Sequence, residues 1–383
     1  MLNNNSENRG WMYLAAIVMM AAALKIWLTF SGVVPFNADE AVVALMARHI
    51  LNGELAIFFY GQAYMGSLDA LIVAAGFALF GEHVWVIRII QGMLYLGVVI
   101  TTVLLGNAIF KDKRIGLLAG LLLAIPTVNM SLYTTASLGG YGETLLMGNL
   151  ILLVGTRLDE EFKTESQVTP WRWSLYGFLC GFSFWAFGLS LVYSLPMSAL
   201  LLWRFIRTRS VSYFRLPALS VVIGVLVGAT PWWIYAYQYG VASLAGELLG
   251  GAIAGVEGLS WLGQAWQHLV SLVLLGGTVV FGFRPPWGVQ WLGAPLLPFV
   301  LAFFIATLGF SGMKLLKEGA KDHSRIVLHS LVWVVVLGFV FTPYGADPSG
   351  RYFVPLAIPL ALFSAEFILL IFQRSKLLAW SLV

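Results

Sequence analysis

The side chains that could do chemistry here begin with a few acids in an otherwise apolar sequence. Asp39 and Glu40 are adjacent and follow the first long apolar segment directly, while Glu143 opens another apolar segment after the run Leu138-Gly139-Gly140-Tyr141-Gly142. A carboxylate is costly in hydrocarbon, so acids held at the edge of a bilayer are expected to bind a substrate or protons. Glycines beside Glu143 would let the backbone approach a ligand closely.

Five basic residues form a second candidate set, because they lie outside the clusters that contain the other 17 of the 22 Lys and Arg. These five are Lys25, Arg48, Arg88, Arg284 and Arg351. Guanidinium groups bind phosphate through directed hydrogen bonds, so an outer-leaflet anion such as a lipid phosphate would explain them. Arg351 and Tyr352 open the last apolar segment, where a phosphate could be held at the membrane boundary.

Each candidate also has an ordinary structural interpretation. The three acids fall in the first turns of predicted helices, where they complement the backbone dipole whether or not they bind anything. Arg351 could snorkel to the interface with Asp347 as its ion partner. Arg88 could equally pair with Glu82 or Asp69.

The composition predicts an all-α polytopic membrane protein. Of the 383 residues, 60% are hydrophobic and 10% are charged, and the mean hydropathy is +0.86, far outside the range of soluble proteins. A helix needs about 20 apolar residues to cross the hydrocarbon core, and many segments approach that length. The first, 11–34, reads as a retained helix and not as a signal peptide. Cys180 is the only cysteine, so no disulfide framework is expected.

The basic residues predict the topology, because Lys and Arg concentrate in cytoplasmic loops. If every basic cluster is cytoplasmic, an even number of spans separates each from the next, which gives ten spans with both termini inside. The predicted spans are 11–33, 84–110, 115–132, 143–157, 173–189, 190–206, 216–236, 293–313, 325–343 and 353–373.

Two apolar segments, 66–80 and 268–283, are left over and are predicted to be interfacial or re-entrant pieces on the outer face. If both cross instead, the count becomes twelve. We expect one transmembrane domain over 1–383, with a catalytic module at 1–160, variable spans at 160–383 and no soluble domain. The long outer loops, about 34–83 and 237–292, are where function is expected.

The acidic pair belongs to a predicted amphipathic helix in the first outer loop. Asn37 is a good N-cap residue, and Val42, Leu45, Met46 and Ile50 share one helical face. With that face in the membrane interface, Asp39 and Glu40 would lie near the mouth of any cavity between the spans.

Several other function classes find no support in the sequence. The five histidines show no ligand spacing on one helix, so a zinc site is not expected. No phosphate-cradling glycine loop is present, which argues against direct use of a nucleotide. The net charge of +4 follows from the topology and anionic lipid contact, and does not indicate nucleic acid.

The ordered combination of motifs resembles the GT-C glycosyltransferases, and in particular family 39, the protein O-mannosyltransferase-like group. The resemblance runs through about residue 160 and includes Asp39-Glu40, the run from Phe59 to Leu68, Trp85 with Arg88, the Lys-rich turn and Glu143. Arg351-Tyr352-Phe353-Val354-Pro355 is similar to the C-terminal element of that group. The middle, about 160–340, matches only as hydrophobic spans.

The resemblance implies inverting transfer of a sugar from a polyprenyl-phosphate donor to a hydroxyl on the extracytoplasmic side. Asp39 would be the general base that takes the acceptor proton. Arg351, with Tyr352 and Arg88 or Lys25, would stabilise the charge on the departing phosphate. The residues implied to bind substrate are Glu40, Glu143, Tyr64, Gln62, Arg88, Arg351, Tyr352 and Lys25.

The resemblance also implies the setting of the reaction. The expected location is the plasma (inner) membrane, and the acceptor is a lipid, a glycan or a protein. A divalent cation, Mg²⁺ or Mn²⁺, bridging Asp39 and Glu143 is compatible with this family but is not required by the sequence. The competing classes are a lipid-linked-sugar flippase, a transporter, or a silent relative that only binds polyprenyl phosphate.

Overall fold

The protein is almost entirely helical in the computed structural model, which describes residues 2–164, 169–208, 211–250, 260–286, 288, 290–319, 323–347 and 349–374. The helices are α1 Leu2–Phe30, α2 Ala38–Leu51, α3 Leu68–Phe80, α4 Val84–Phe110, α5 Lys113–Ala124, α6 Val128–Tyr133, α7 Tyr141–Thr164, α8 Pro170–Ala186, α9 Leu191–Thr208, α10 Val211–Gly228, α11 Thr230–Tyr239, α12 Val241–Gly250, α13 Trp261–Ser271, α14 Gly277–Val280, α15 Leu297–Glu318, α16 His323–Phe341 and α17 Ala357–Arg374. Two short strands, β1 Phe58–Phe59 and β2 Gln62–Gly66, form an antiparallel hairpin.

Several helices are long and apolar enough to cross a membrane, so the predicted multi-pass class is confirmed. Among the described residues six qualify: Asn8–Phe30, Val84–Phe110, Gly188–Arg207, Ala294–Glu318, His323–Phe341 and Arg351–Arg374. A seventh span results if α10 and α11, which meet at a 57° bend, cross together. The predicted count of ten is not confirmed, because α5 has only 12 residues and α7 carries a charged C-terminal turn.

Individual predicted segments correspond closely to helices. The predicted span 84–110 coincides with α4, and the leftover segment 66–80 is the 13-residue helix α3, too short to cross on its own. The other leftover segment falls on α13, a π turn at Leu272–Gly276 and α14. The predicted span 115–132 is instead broken between α5 and α6, where Pro126 interrupts the helix.

Long-range contacts divide the chain into two compact units that interleave along the sequence. The first unit comprises Met1–Lys25, Leu96–Leu132 and Leu259–Val383, and the second comprises Ile26–Tyr95 and Tyr133–Gly258. In the first unit, Arg325 donates hydrogen bonds to both carboxylate oxygens of Glu366 at 2.7 and 2.9 Å, and Lys314 joins at 2.8 Å. Arg325 is therefore a buried member of an ion pair on α16.

In the second unit, α8 and α10 approach each other closely through glycines spaced four residues apart. Gly177 and Gly181 lie on α8, and Gly224 and Gly228 lie on α10. A Cβ atom at any of the four would overlap a backbone carbonyl of the partner helix. Small residues at this spacing allow dispersion contacts between backbones, which matter in a bilayer because lipid is as apolar as the side chains.

The C-terminal end of α8 holds the β hairpin. Trp185 donates its indole N–H to the carbonyl of Ile57 at 3.1 Å, and Met65 forms a bridge with Phe187. Gly66 lies directly against Trp185, where a larger residue would not fit. The glycine contact between α8 and α10 thus helps to position the loop that carries β1 and β2.

Replacing Gly224 by alanine is expected to destabilise the protein by about 1–3 kcal/mol, because the added methyl must push α8 and α10 apart. Thermal unfolding in nanodiscs would register this as a lower midpoint. Gly309 on α15 is the matched control, since nothing lies within 4 Å of the point that a Cβ atom would occupy there, and alanine should be neutral or stabilising. Equal effects at both positions would contradict the packing assignment.

Candidate functional site

Asp39 lies in the first turn of α2, where the local sequence fixes the helix start. The side chain of Asn37 accepts a hydrogen bond from the backbone N–H of Glu40 at 2.9 Å, as predicted for an N-cap. Asp39 is half-buried, and its carboxylate makes no hydrogen bond or ion pair with any residue that the structure describes. It is therefore available to a ligand from outside.

The adjacent acid, Glu40, is fully buried and paired with Arg88 of α4. The guanidinium donates through Nε and Nη2 to the two carboxylate oxygens, each at 3.1 Å. The exposed fractions of the Glu40 and Arg88 side chains are 0% and 6%. Burial raises the pKa of Glu40, and the hydrogen bonds and charge of Arg88 oppose that shift. The pair is thus a two-point clamp between α2 and α4.

A second buried acid, Asp69 on α3, receives two hydrogen bonds. Ser137 donates its hydroxyl to Oδ2, and the side-chain amide of Gln91 on α4 donates to Oδ1 at 2.8 Å. Only 3% of Asp69 is exposed. Because Gln91 follows Arg88 by nearly one helical turn, α4 supplies partners to both Glu40 and Asp69.

Glu143 is equally buried and lies beside Asp69 with no cation between them among the described residues. Both of its carboxylate oxygens are buried. The two carboxyl groups are close enough to hydrogen-bond when one of them is protonated. Burial raises the pKa of Asp69 to about 6, with the hydrogen bonds from its neighbours opposing the shift. The arrangement is that of two acids sharing one proton.

Most of the basic candidate residues form ion pairs with acidic side chains. Arg48 pairs with Glu82 at 2.6 Å on the surface, so the alternative pairing of Arg88 with Glu82 is wrong. The alternative pairing of Arg88 with Asp69 is also wrong, because Glu40 takes the guanidinium. Arg284 makes no hydrogen bond or ion pair with a residue that the structure describes.

In the first unit, Arg351 pairs with Asp347, as its ordinary interpretation predicts. Its guanidinium also lies 5.1 Å from the ring centre of Tyr352, and that ring is 4.9 Å from Tyr344. Arg351 remains 30% exposed. Lys25 is buried in α1.

The two remaining candidates lie on β2. Gln62 is partly buried at the start of the strand. The backbone of Tyr64 lies within β2, but its side chain is outside the described part of the structure. The predicted site residues thus divide between the units: Asp39, Glu40, Gln62, Tyr64, Arg88 and Glu143 belong to the second, and Lys25, Arg351 and Tyr352 to the first.

A divalent cation finds no complete ligand set in the described residues. No group of three or more His, Cys, Asp and Glu side chains there is arranged to hold a metal ion. The predicted bridge between Asp39 and Glu143 also competes with the contact between Glu143 and Asp69. Hard cations need several oxygen ligands at once, and Asp39 and Glu143 alone would supply only part of such a set.

Comparison with known proteins finds a likeness in fold but none in sequence. No family model matches the sequence, and no curated protein matches it. Solved structures do match in fold. One is the archaeal oligosaccharyltransferase AglB from Archaeoglobus fulgidus, solved in complex with an inhibitory peptide and a dolichol-phosphate. It superposes with a TM-score of 0.61 at 16% identity over 94% of this chain. ArnT from Cupriavidus metallidurans, bound to undecaprenyl phosphate, gives 0.62 at 12% identity over 96%.

The chain has the fold of the GT-C glycosyltransferases. It spans about half the length of AglB, 50%, and 61% of ArnT. The GT-C resemblance drawn from the motifs is therefore confirmed at the level of the fold. The narrower likeness to family 39 stays a prediction.

Sequence reasoning missed Asp69 and its partners Gln91 and Ser137 as members of the acidic site. The signal was present, because Asp69 is the only charged residue in the 13-residue helix Leu-Asp-Ala-Leu-Ile-Val-Ala-Ala-Gly-Phe-Ala-Leu-Phe. A lone carboxylate in such a segment requires a partner. The identity of that partner depends on tertiary contacts between α3, α4 and the loop before α7.

The raised pKa of Asp69 predicts a pH-dependent stability. The folded protein holds this proton more tightly than the unfolded chain, so the contribution is fully present below pH 3.8 and is lost as the pH rises through about 6. Asp69→Asn keeps a neutral side chain that can donate to Glu143. We expect the variant to gain stability relative to wild type at pH 7, on the order of 2 kcal/mol, and little at pH 4.

Thermal unfolding in nanodiscs across this pH range measures the difference. Asp112→Asn is the control of opposite sign, because a hydrogen bond from Arg114 lowers the pKa of Asp112. Losing the Asp112 carboxylate should therefore lower the stability of the protein at pH 7. A flat difference between Asp69→Asn and wild type over the whole range would contradict the shared proton.

Proposed function

We propose that this protein is an integral membrane glycosyltransferase that moves a sugar from a polyprenyl-phosphate donor to an acceptor hydroxyl on the extracytoplasmic face. The observation that supports this most strongly is the state of Asp39 within a GT-C fold. Its carboxylate is half-exposed, without a described partner, and placed next to a rigid ion pair. Such a group is ready to accept a proton from a bound hydroxyl.

The proposed step is a displacement at the anomeric carbon with inversion. The acceptor oxygen attacks that carbon and forms the new glycosidic bond, while the bond from the anomeric carbon to the phosphate oxygen breaks. The electron pair of that bond leaves with the lipid phosphate. The acceptor proton passes to Asp39, and later to water, so the carboxylate is regenerated.

The three buried acids discussed above, Glu40, Asp69 and Glu143, are less suited to this role. Glu40 is held by Arg88 at both oxygens, and moving it would leave a buried guanidinium uncompensated. Asp69 and Glu143 are buried and contact each other. Their contribution is proposed to be structural, through the loop before α7, and Glu143 contributes sugar contacts only if that pair opens.

The lipid phosphate is proposed to be held by basic residues of the first unit. Arg351 is partly exposed and lies at the start of the last apolar segment, and Tyr352 covers one face of its guanidinium. Arg284 adds a guanidinium without an ion partner among the described residues. Arginine suits a phosphate leaving group because its donors form directed, charge-assisted hydrogen bonds.

The bound molecules of the structural neighbours support the donor class. AglB was solved with a dolichol-phosphate and ArnT with undecaprenyl phosphate. The corresponding proposal for this chain is a polyprenyl-phosphate sugar in the plasma (inner) membrane, both termini being cytoplasmic. Lipids, glycans and proteins remain the acceptor classes to test.

Asp39→Asn is expected to lower transfer by about 10²–10⁴-fold, because asparagine cannot accept the acceptor proton. The measurement is release of polyprenyl phosphate from a panel of polyprenyl-phosphate sugars by the purified protein in nanodiscs, with a bacterial envelope lipid and glycan extract as acceptor source. Glu54→Gln is the matched control, since Glu54 is an exposed acid just beyond α2.

Full activity in Asp39→Asn would refute the assignment of the base. Movement of the lipid-linked sugar between leaflets without release of polyprenyl phosphate would instead identify a flippase.

Arg351→Ala is expected to raise the donor KM by roughly ten- to a hundredfold, through loss of charge-assisted hydrogen bonds to the phosphate. Asp347→Asn separates this role from a merely structural ion pair. It removes the charge that Arg351 pairs with but keeps an oxygen for the N–H of Ser349. If Arg351 binds the donor, Asp347→Asn should leave the KM unchanged or lower it. Equal losses in both variants would indicate a structural pair only.

A further inference from the structure

A cleft of about 450 Å³ opens in the second unit between the outer hairpin and the end of α11. Its volume lies within the range of about 300–1,000 Å³ typical of small-molecule sites. The hairpin side is formed by residues 55–62, and the helix side by Tyr235, Gln238 and Tyr239. No site residue predicted from the sequence except Gln62 lines it.

The lining of the cleft combines aromatic rings with carboxamides and carries no charge. Tyr60, Tyr235 and Tyr239 supply rings, and Gln62 and Gln238 supply amides that both donate and accept hydrogen bonds. None of the described lining residues is Asp, Glu, Lys, Arg or His. A phosphate or a carboxylate would therefore find no counter-charge there.

The walls are fixed before any ligand arrives. Phe58 is buried with its ring 4.6 Å from that of Trp232 and 4.9 Å from that of Tyr235. The Tyr60 hydroxyl lies 2.8 Å from Nδ1 of His49 on α2. Tyr239, by contrast, is 63% exposed while its ring lies 4.6 Å from that of Tyr235, so it still offers a face to a ligand.

The chemistry of this cleft fits one class of ligand. Sugar rings present apolar C–H faces that stack on aromatic rings and a rim of hydroxyls that exchange hydrogen bonds with amides. Tyrosines at a membrane interface are common without any ligand, and Tyr237, 92% exposed on the same helix, fits that description. The cleft differs from such a single interfacial residue because three tyrosine rings and the amides of Gln62 and Gln238 line one volume.

We propose that this cleft is a binding subsite for a neutral sugar residue, which stacks on Tyr239 and hydrogen-bonds to Gln238 and Gln62. The inference rests on the proposed function, within which the sugar belongs to the acceptor, and it therefore assigns the acceptor to the glycans. Because α2 contacts Tyr60 through His49, the subsite and Asp39 are anchored to the same helix.

Saturation-transfer NMR on the protein in nanodiscs tests the subsite with neutral probes: the methyl glycosides of glucose, galactose and mannose, chitobiose and maltotriose. At least one probe should receive saturation from wild type. In Tyr239→Ala and Gln238→Ala we expect about tenfold weaker binding. Tyr239→Phe should retain the interaction, because the ring face remains. Tyr237→Ala is the matched control and should bind as wild type does.

Two outcomes would overturn the subsite: no probe receives saturation, or the signal is unchanged in both Tyr239→Ala and Gln238→Ala. Asp39→Asn separates this inference from the proposed function, since it should bind the probes normally. Donor turnover without probe binding would contradict the subsite but not the transferase. Probe binding without turnover of any donor would support the subsite and contradict the proposed transferase activity.

Discussion

The outer part of the second unit depends on the buried ion pair between Glu40 and Arg88. Two hydrogen bonds of 3.1 Å join the first turn of α2 to α4, with neither side chain open to solvent. Removing one partner of such a pair leaves a charge in a medium that cannot solvate it, which typically costs about 3–5 kcal/mol. Because Asp39 precedes Glu40 directly, the pair also fixes the backbone that carries the proposed base. Under the proposed function, Glu40 would thus hold the neighbouring base in place.

Asp39, Glu40, Asp69 and Glu143 differ because of their surroundings and not because of their type. Glu40 is paired with a cation, Asp69 and Glu143 contact each other and can share a proton, and Asp39 is partly exposed with no partner among the described residues. Only the last of these leaves a carboxylate free to exchange a proton with a ligand. Helix α4 makes the distinction possible, since Arg88 and Gln91 lie on one face of it and receive two of the acids.

Much of this arrangement follows from the sequence, and the rest has identifiable physical reasons. Span α4, the N-cap at Asn37 and the ion pair of Arg351 with Asp347 are local, and periodicity or spacing predicts them. The partner of Arg88 depends on how α2 meets α4, which no local pattern encodes.

The close approach of α8 and α10 likewise cannot be predicted from local sequence. The four-residue glycine spacing is visible in each helix, but the contacts of Gly181 with Val225 and of Gly228 with Phe178 are properties of the packed structure. Counting spans from hydropathy also fails at a short break such as that at Pro126. The break shortens the helix but leaves the segment as apolar as before.

The uncharged lining of the cleft in the second unit favours a neutral ligand. Arg351, the proposed phosphate contact, belongs to the first unit, whereas the cleft beside α11 is lined by rings and amides. A site for an anion would gain from a cation in that lining, and a site for lipid chains would gain from replacing Gln62 and Gln238 by apolar residues. Amides are poorly solvated against lipid, and a lining without a cation offers an anion no counter-charge. A hydroxyl-rich ligand satisfies the amides and the rings together, and it is the class of molecule that a sugar-transferring enzyme must hold.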